Sequence, residues 1–180
     1  MAGMDEWQLN DRKVVFDHPW VRIVADTLAR GDQHKPYIFI ESPVDAVATV
    51  AITDSREIVL TRQYRHPVGH VITDLPAGRA NPGEDPLVAA RRELEEETGY
   101  RPGKLVALGK ANPFPGSLKV TMHLFFASEL SAGQQHLDDG EELEVHLRLF
   151  DEVFAEVIEG KHIDAALQWG ALLARAKGLA

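Results

Sequence analysis

The sequence predicts an α+β fold, an α/β/α sandwich around a mixed β-sheet with a separate N-terminal β subdomain. Three observations predict it. The first third of the chain reads as strands with no helix between them. A single capped helix interrupts the later strands, and two more helices close the chain. Strands and helices are therefore mixed without the strict alternation of a parallel βαβ sheet. A length of 180 residues suits one domain with a small addition. The boundary is placed at residues 1–43 for the β subdomain and 44–180 for the main domain.

Taken in order, Val14–Phe16, Val21–Leu28 and Tyr37–Glu41 are rich in β-branched and aromatic residues and are separated by Asp17-His18-Pro19 and Arg30-Gly31-Asp32. Ala46–Thr53 and Glu57–Gln63 form the next pair of strands, split by a turn at Asp54-Ser55, and His70–Leu75 is a further short strand. Pro76 to Glu84 contains two prolines and two glycines and reads as loop. A helix is predicted from Pro86 to Thr98. Asp85 is a good N-cap, proline fits the first helical position, and Gly99 suits the residue just past the end. Leu87, Ala90 and Leu94 give it an apolar stripe. Strands are expected again at Leu105–Leu108, Lys119–Ala127 and Leu143–Phe150, with an acidic loop over Gln134–Glu142. Helices are expected over Asp151–Glu159 and from His162 or Asp164 to about Lys177.

Composition narrows the function. Acids outnumber bases 28 to 19, a net charge of −9, so a surface that coats nucleic acid or an anionic membrane is not expected. There is no cysteine, which excludes disulfides, zinc–thiolate sites, iron–sulfur clusters and thiol nucleophiles. The longest apolar stretch, around Ala46–Ile52, is far short of a membrane span. The first residues, Met-Ala-Gly-Met-Asp-Glu-Trp, lack the basic start and apolar core of a signal peptide. A cytoplasmic protein is expected.

The predicted helix breaks its own stability rules. Glu93, Glu95, Glu96 and Glu97 crowd its last turns, where each carboxylate faces the negative end of the macrodipole at a cost of about 0.3–1 kcal/mol. Glu93 and Glu97 are also a like-charged i, i+4 pair. Rules broken together point to function. At about 100° per residue, Glu93, Glu96 and Glu97 share one sector while Glu95 points elsewhere, and Ala89 and Ala90 leave space beside that sector. Converging carboxylates over small residues suit Mg²⁺ or Mn²⁺. The competing reading is a solvated acidic face. The eight histidines are scattered, with no HxH or HExxH spacing to compete for a metal.

The flanking residues favour the metal reading. Gly78, five residues, Glu84, seven residues, then Arg92-Glu93-Leu94-Glu95-Glu96-Glu97-Thr98-Gly99-Tyr100 resembles the signature of the Nudix hydrolases at every charged and glycine position. Tyr100 stands where that family usually has an aliphatic residue, a position expected to pack against the core. The resemblance implies two or three divalent ions, Mg²⁺ or Mn²⁺, held on a pyrophosphate. It implies Glu93 and Glu97 as metal ligands and Glu96 as a ligand or catalytic partner. The backbone carbonyl of Ala77 is implied as a further ligand. Glu84 and Arg92 are implied as a structural ion pair, and Gly78 and Gly99 as backbone pivots. Bound metal would neutralise the diphosphate and lower the pKa of a water.

Residues outside this box resemble the ADP-ribose and nucleoside diphosphate sugar pyrophosphatase branch. Arg62-Gln63-Tyr64-Arg65 is followed by Asp74-Leu75-Pro76-Ala77-Gly78, with Asp74 where the branch usually has Glu. Pro115 lies sixteen residues beyond Gly99. In relatives of that branch an N-terminal β region pairs two subunits, so a homodimer is implied. Lys119 and Val120 depart from the acidic residue that ADP-ribose-specific relatives often carry there, which can change the sugar or base accepted. The catalytic base of the branch lies on a loop after the box. Asp138-Asp139-Gly140-Glu141-Glu142-Leu143-Glu144 resembles that loop, with Glu141 the first candidate and Glu142 or Glu144 as substitutes.

Arg65 is a candidate for gripping substrate phosphates, because a guanidinium fork matches phosphate oxygens. Arg62 and Arg79 are weaker candidates. Trp20 and Tyr37 are candidates for base stacking, with core or interface packing as the plainer reading. The expected activity is hydrolysis of a nucleoside diphosphate sugar, ADP-ribose first, to nucleoside monophosphate and sugar phosphate. The alternatives are another Nudix substrate (a dinucleoside polyphosphate, NADH or an RNA 5′ end) or a non-catalytic nucleotide-sugar sensor.

Overall fold

The computed structural model describes residues 6–180; residues 1–5, where the predicted N-terminal β subdomain and the expected absence of a signal peptide begin, lie outside the described residues. The chain forms two compact units, one from residues up to Val44 with Asn112–Thr121, the other from Asp45–Ala111 with Met122–Ala180.

In the first unit, β1 (Gln8–His18), β2 (Val21–Arg30) and β3 (Gln33–Glu41) form an antiparallel meander, and β9 (Leu118–Lys119) adds to β3 in parallel. The alternation of the strands sorts their residues onto two faces. Val24 and Asp26 are buried on one face, and Asp26 accepts both Nε and Nη2 of Arg12, at 2.9 and 2.8 Å. On the other, the paired residues Phe16, Ile23 and Ile40 are exposed, as is Ile38. The expected strand Lys119–Ala127 divides here: Lys119 belongs to β9 in this unit, Val120 and Thr121 to neither strand, and Met122–Ala127 to β10 in the other unit.

The second unit is built on a seven-stranded mixed sheet. Its central order is β11 (Leu143–Leu149), β5 (Glu57–Arg65), β4 (Ala46–Ile52), β10 (Met122–Ala132) and β8 (Tyr100–Ala111). The β4–β10 pair is parallel and the other pairs are antiparallel. β6 (His70–Asp74) pairs with β5, and β7 (Ala77–Arg79) with β4. β7 lies inside the segment read as loop. It forms because the backbone around it is held on both sides, Thr49 N–H donating to Pro76 O and Ala80 N–H to Asp45 O.

The sandwich follows from the apolar run of β4, which is buried on both faces. Val47 packs with Ala89, Ala90 and Phe125, and Ala51 with Leu94, Val59 and Ala127, under helix α1 (Pro86–Thr98). Ala48, Val50 and Ile52 pack on the opposite side with Leu60, Leu75, Phe126, Phe150, Val153, Leu167 and Ala171, under α2 (Phe150–Ile158) and α3 (Ala165–Ala176). Leu87, placed in the apolar stripe of α1, is instead exposed, and Ala89, Ala90 and Leu94 carry the buried apolar face. Tyr100 is partly buried against the Leu94 cluster. Among the described residues no helix is long and apolar enough to cross a membrane.

Candidate functional site

The site is built at the C-terminal turns of α1. The Asp85 side chain caps the helix by accepting from Leu87 N–H at 2.8 Å, and Gly99 ends it in the left-handed conformation, φ 74°, with its N–H on Glu95 O. The small face of Ala89 and Ala90 lets the helix lie close on the sheet, which draws the neighbouring carboxylates inward. Glu97 is only 5% exposed, Glu93 is largely buried and Glu96 is at the rim. Glu95 turns away and pairs with Arg101 at 2.6 Å.

The turn Ala77–Gly78 meets these carboxylates. Ala77 N–H donates to Glu97 Oε2 at 2.8 Å. A side-chain carbon at position 78 would stand 2.1 Å from the Glu93 carboxyl carbon, so only glycine admits that carboxylate. Arg92 gathers the remaining groups. Its Nε and Nη2 hold Glu84, Nη2 also reaches Arg79 O, and Nη1 donates to Glu93 Oε1 and Glu96 Oε2 at 2.8 and 2.9 Å. Glu84 in turn accepts from Asn81 N–H, so the loop after β7 is tied to the helix.

Burial makes the inner pair weaker acids. Desolvation pushes the Glu97 carboxyl up to about 8; the Ala77 N–H opposes it, and the charges of Glu93, Asp74 and Glu141 add to it. Desolvation also raises Glu93, against the Arg92 guanidinium. Hydrogen bonds from Arg92 hold Glu84 below the usual carboxylate range, and the carboxylates raise Arg92 above its ordinary value. Among the described residues no three acidic or imidazole groups already converge on one point, because Arg92 Nη1 stands between Glu93 and Glu96. The donor set nevertheless fits a hard divalent cation. It is all oxygen, it joins the buried Glu97 carboxylate to the largely buried Glu93 carboxylate, and the bare backbone at Gly78 gives the Glu93 carboxylate its place against the turn.

The acidic loop lies on the same side. Glu141 is exposed, its carboxylate accepts from Asp138 N–H at 3.2 Å, and its charge acts on both Glu93 and Glu97. Glu144 sits on β11 and pairs with His146 at 3.2 Å and with Arg62 at 3.8 Å. Glu142 is exposed between them. Arg62 is thus engaged with Glu144 on the sheet edge.

Arg65 is held by an acid that the sequence did not single out as a partner. Buried Asp74 accepts Arg65 Nε and Nη2 on Oδ2, at 3.2 and 2.7 Å, together with Thr61 Oγ1 at 2.6 Å and Gln63 Nε2. Thr61, Gln63 and Arg65 alternate along β5, so they share one face, and Thr61 pairs directly with Asp74 on β6. The period of two in Thr-Arg-Gln-Tyr-Arg was the available signal. Trp20 and Tyr37 belong to the N-terminal unit. Trp20 is 68% exposed at the β1–β2 turn, its ring edge-on to His18, while Tyr37 donates its hydroxyl to Gly116 O at 2.7 Å. In that unit a cavity of about 300 Å³ is lined by Asp26, Tyr37, Phe39, Pro115 and Lys119 among others, and Lys119 pairs with Glu41 at 2.5 Å. Gln135 and His136, which bond to the carbonyls of Glu97 and Glu96, carried no sequence signal.

Comparison with known proteins gives the family. An ADP-ribose pyrophosphatase of Bacillus subtilis is 41% identical over 102 residues, 56% of this chain and 55% of that protein. A methanol dehydrogenase activator of Bacillus methanolicus is 38% identical over 122 residues, 67% of this chain and 66% of that one. The chain thus spans about half to two thirds of the length of these relatives. A solved structure of an ADP compounds hydrolase superposes over the full length of both chains with a TM-score of 0.86 at 20% identity, a likeness of fold. Residues 43–167 match the NUDIX domain. That match begins just before β4, takes in the Gly78 turn and all of α1, and ends within α3, and on it the chain belongs to the Nudix family.

Proposed function

We propose that this protein hydrolyses the pyrophosphate bond of a nucleoside diphosphate sugar, ADP-ribose being the first substrate to try, to give a nucleoside monophosphate and a sugar phosphate. The observation that carries the reading is the pair of buried Glu97 and largely buried Glu93 at the unfavourable end of α1, with Glu93 set against a glycine turn that any side chain at position 78 would deny it. Such carboxylates persist at a cost to the free protein and become favourable with a divalent cation. Glu93, Glu96, Glu97 and the carbonyl of Ala77 would hold Mg²⁺ or Mn²⁺, two or three ions in the family pattern. Bound metal supplies charge neutralisation of the diphosphate and a more acidic water.

The protein's own groups do the rest. Arg92 and Glu84 fix the loop to the helix. Arg65, anchored through Nε and one Nη on Asp74, keeps its other Nη for a phosphate oxygen. Glu141 is the base that takes a proton from the attacking water, and its exposed loop position suits a group that must exchange that proton with solvent. The Bacillus subtilis relative, an ADP-ribose pyrophosphatase, supports the ADP-linked substrate class.

The N-terminal β unit is assigned to dimerisation. Its exposed face of Phe16, Ile23, Ile38 and Ile40 is the apolar surface a second copy would cover. Sedimentation should find a dimer that Ile38→Lys dissociates.

The activity is tested by incubating the protein with ADP-ribose, ADP-glucose, GDP-mannose and UDP-glucose in Mg²⁺ or Mn²⁺ and following nucleoside monophosphate. Turnover of at least one is expected; no turnover of any would remove this reading.

A further inference from the structure

The chain between the end of β10 at Ala132 and the start of β11 at Leu143 has no regular structure, yet it carries Glu141. Its position is set at its beginning. Helix α1 ends with carbonyls that have no partner inside the helix, and this segment supplies partners. His136 N–H donates to Glu96 O at 2.8 Å, and the Gln135 side-chain amide donates to Glu97 O at 2.7 Å. The crossing is backbone on backbone. A side-chain carbon on Gly99 would meet Gln134 C and Gln135 N at 3.0 Å, and one on Gly133 would meet Gly99 O at 2.8 Å. Past His136, among the described residues, the hydrogen bonds of residues 137–142 run within the loop: Glu141 N–H to Asp138 O at 3.0 Å and Asp138 N–H to the Glu141 carboxylate.

We infer that Gln135 is a positioning residue, which tethers the acidic loop to the C-terminal turn of α1 and so holds Glu141 beside the carboxylates of that helix. The same residue, Glu97, offers its side chain to the metal and its carbonyl to the loop, so base and metal are referenced to one point on the backbone. The free span runs from His136 to Leu143, and two bonds hold its start; without the Gln135 side-chain bond only the His136 N–H to Glu96 O bond remains there, so the start of the loop opens more often and the spread of loop positions widens. A base displaced by about 1 Å can cost a large factor in rate. This inference rests on the proposed role of Glu141.

The test compares Gln135→Met, which keeps the volume and loses the amide, with Gln135→Ala, Glu141→Gln and the double variant Gln135→Met/Glu141→Gln. With ADP-ribose and Mg²⁺, Gln135→Met should lower kcat about tenfold with KM changed less than about threefold, and the double variant should equal Glu141→Gln alone, the non-additivity of two residues acting as one unit. Calorimetric Mn²⁺ affinity should be unchanged, since no metal ligand moves. Cleavage by a glutamate-specific protease at Glu141–Glu142 should rise about tenfold in both Gln135 variants, a readout of local opening that needs no substrate. Unchanged protease cleavage, unchanged kcat in both Gln135 variants, or additive losses in the double variant would each overturn the inference while leaving the hydrolase reading intact. Full activity of Glu141→Gln would remove the base assignment and this inference with it. A parent protein inactive on every substrate would remove the hydrolase reading, and the protease comparison would still decide the tether.

Discussion

The Glu93 carboxyl group occupies the space that a side chain at position 78 would fill, with Gly78 as its floor: a Cβ there would lie 2.1 Å from the carboxyl carbon. The clash is with the far end of a flexible side chain, so Gly78→Ala can fold by swinging Glu93 out. The melting temperature should change by no more than about 2–4 °C, the shift that about 1 kcal/mol produces in a chain of this length. Mn²⁺ affinity and hydrolysis should fall together, by about tenfold or more, as when a single ligand or its orienting partner is lost. Calorimetry with retained affinity in Gly78→Ala would show that Glu93 is not a ligand.

Glu97 makes the metal-free protein respond to pH in an unusual direction. Burial places its folded pKa at about 8, above the ordinary 4.5. Between those values the folded protein keeps a proton that the unfolded chain has lost. Stability is therefore greatest below about pH 4.5 as far as this group is concerned, and its contribution falls as pH rises through 8. Asp164, raised by its own burial, acts in the same sense. A metal ion held by Glu97 would reverse the trend, because it takes the ionised carboxylate, so Mn²⁺ affinity should rise up to about pH 8 with proton release. Melts in chelator from pH 5 to 9 should fall less steeply for Glu97→Gln than for the parent. Identical slopes would refute the burial argument. The same substitution should abolish hydrolysis with the fold intact.

Arg92 holds four groups at once, Glu84, Glu93, Glu96 and Arg79 O. Arg92→Ala leaves partly buried carboxylates without a counter-charge and should cost about 1.5–3 kcal/mol, the range for hydrogen bonds to charged groups. Arg92→Lys keeps the charge and loses the fork, so it should recover less than half of that loss in urea unfolding. A lysine variant as stable as the parent would mean that charge alone matters here.

The helix was legible because its signals are local: Asp85, Pro86 and Gly99 fixed both ends of α1 to the residue. The carboxylate cluster was legible because it defies the helix dipole. Non-local relations were not. Nothing in Ala77-Gly78-Arg79 announces that the backbone of β4 will pair with it, since a three-residue strand next to proline has no periodicity to read. The split of Lys119–Ala127 between two units depends on Leu118 and Lys119 finding Ile40 and Glu41, more than seventy residues earlier. Gln135 looked like ordinary polar loop, because a side chain that caps a distant helix carbonyl has the same composition as one that faces water.

Asp74 and Arg65 test whether the anchored guanidinium serves the substrate. Asp74 is buried and accepts from Thr61, Gln63 and Arg65. Asp74→Asn turns one acceptor into a donor facing these donors, so it should destabilise by about 1.5–3 kcal/mol. It also releases Nε and Nη2 of Arg65, whose guanidinium then takes other orientations. If that guanidinium binds a substrate phosphate in ground and transition states alike, KM should rise several-fold with kcat changed little, the signature of uniform binding lost. Arg65→Ala should raise KM further, and adding Asp74→Asn to it should leave KM where Arg65→Ala put it. A KM that Arg65→Ala leaves untouched would confine the pair to holding β5 against β6.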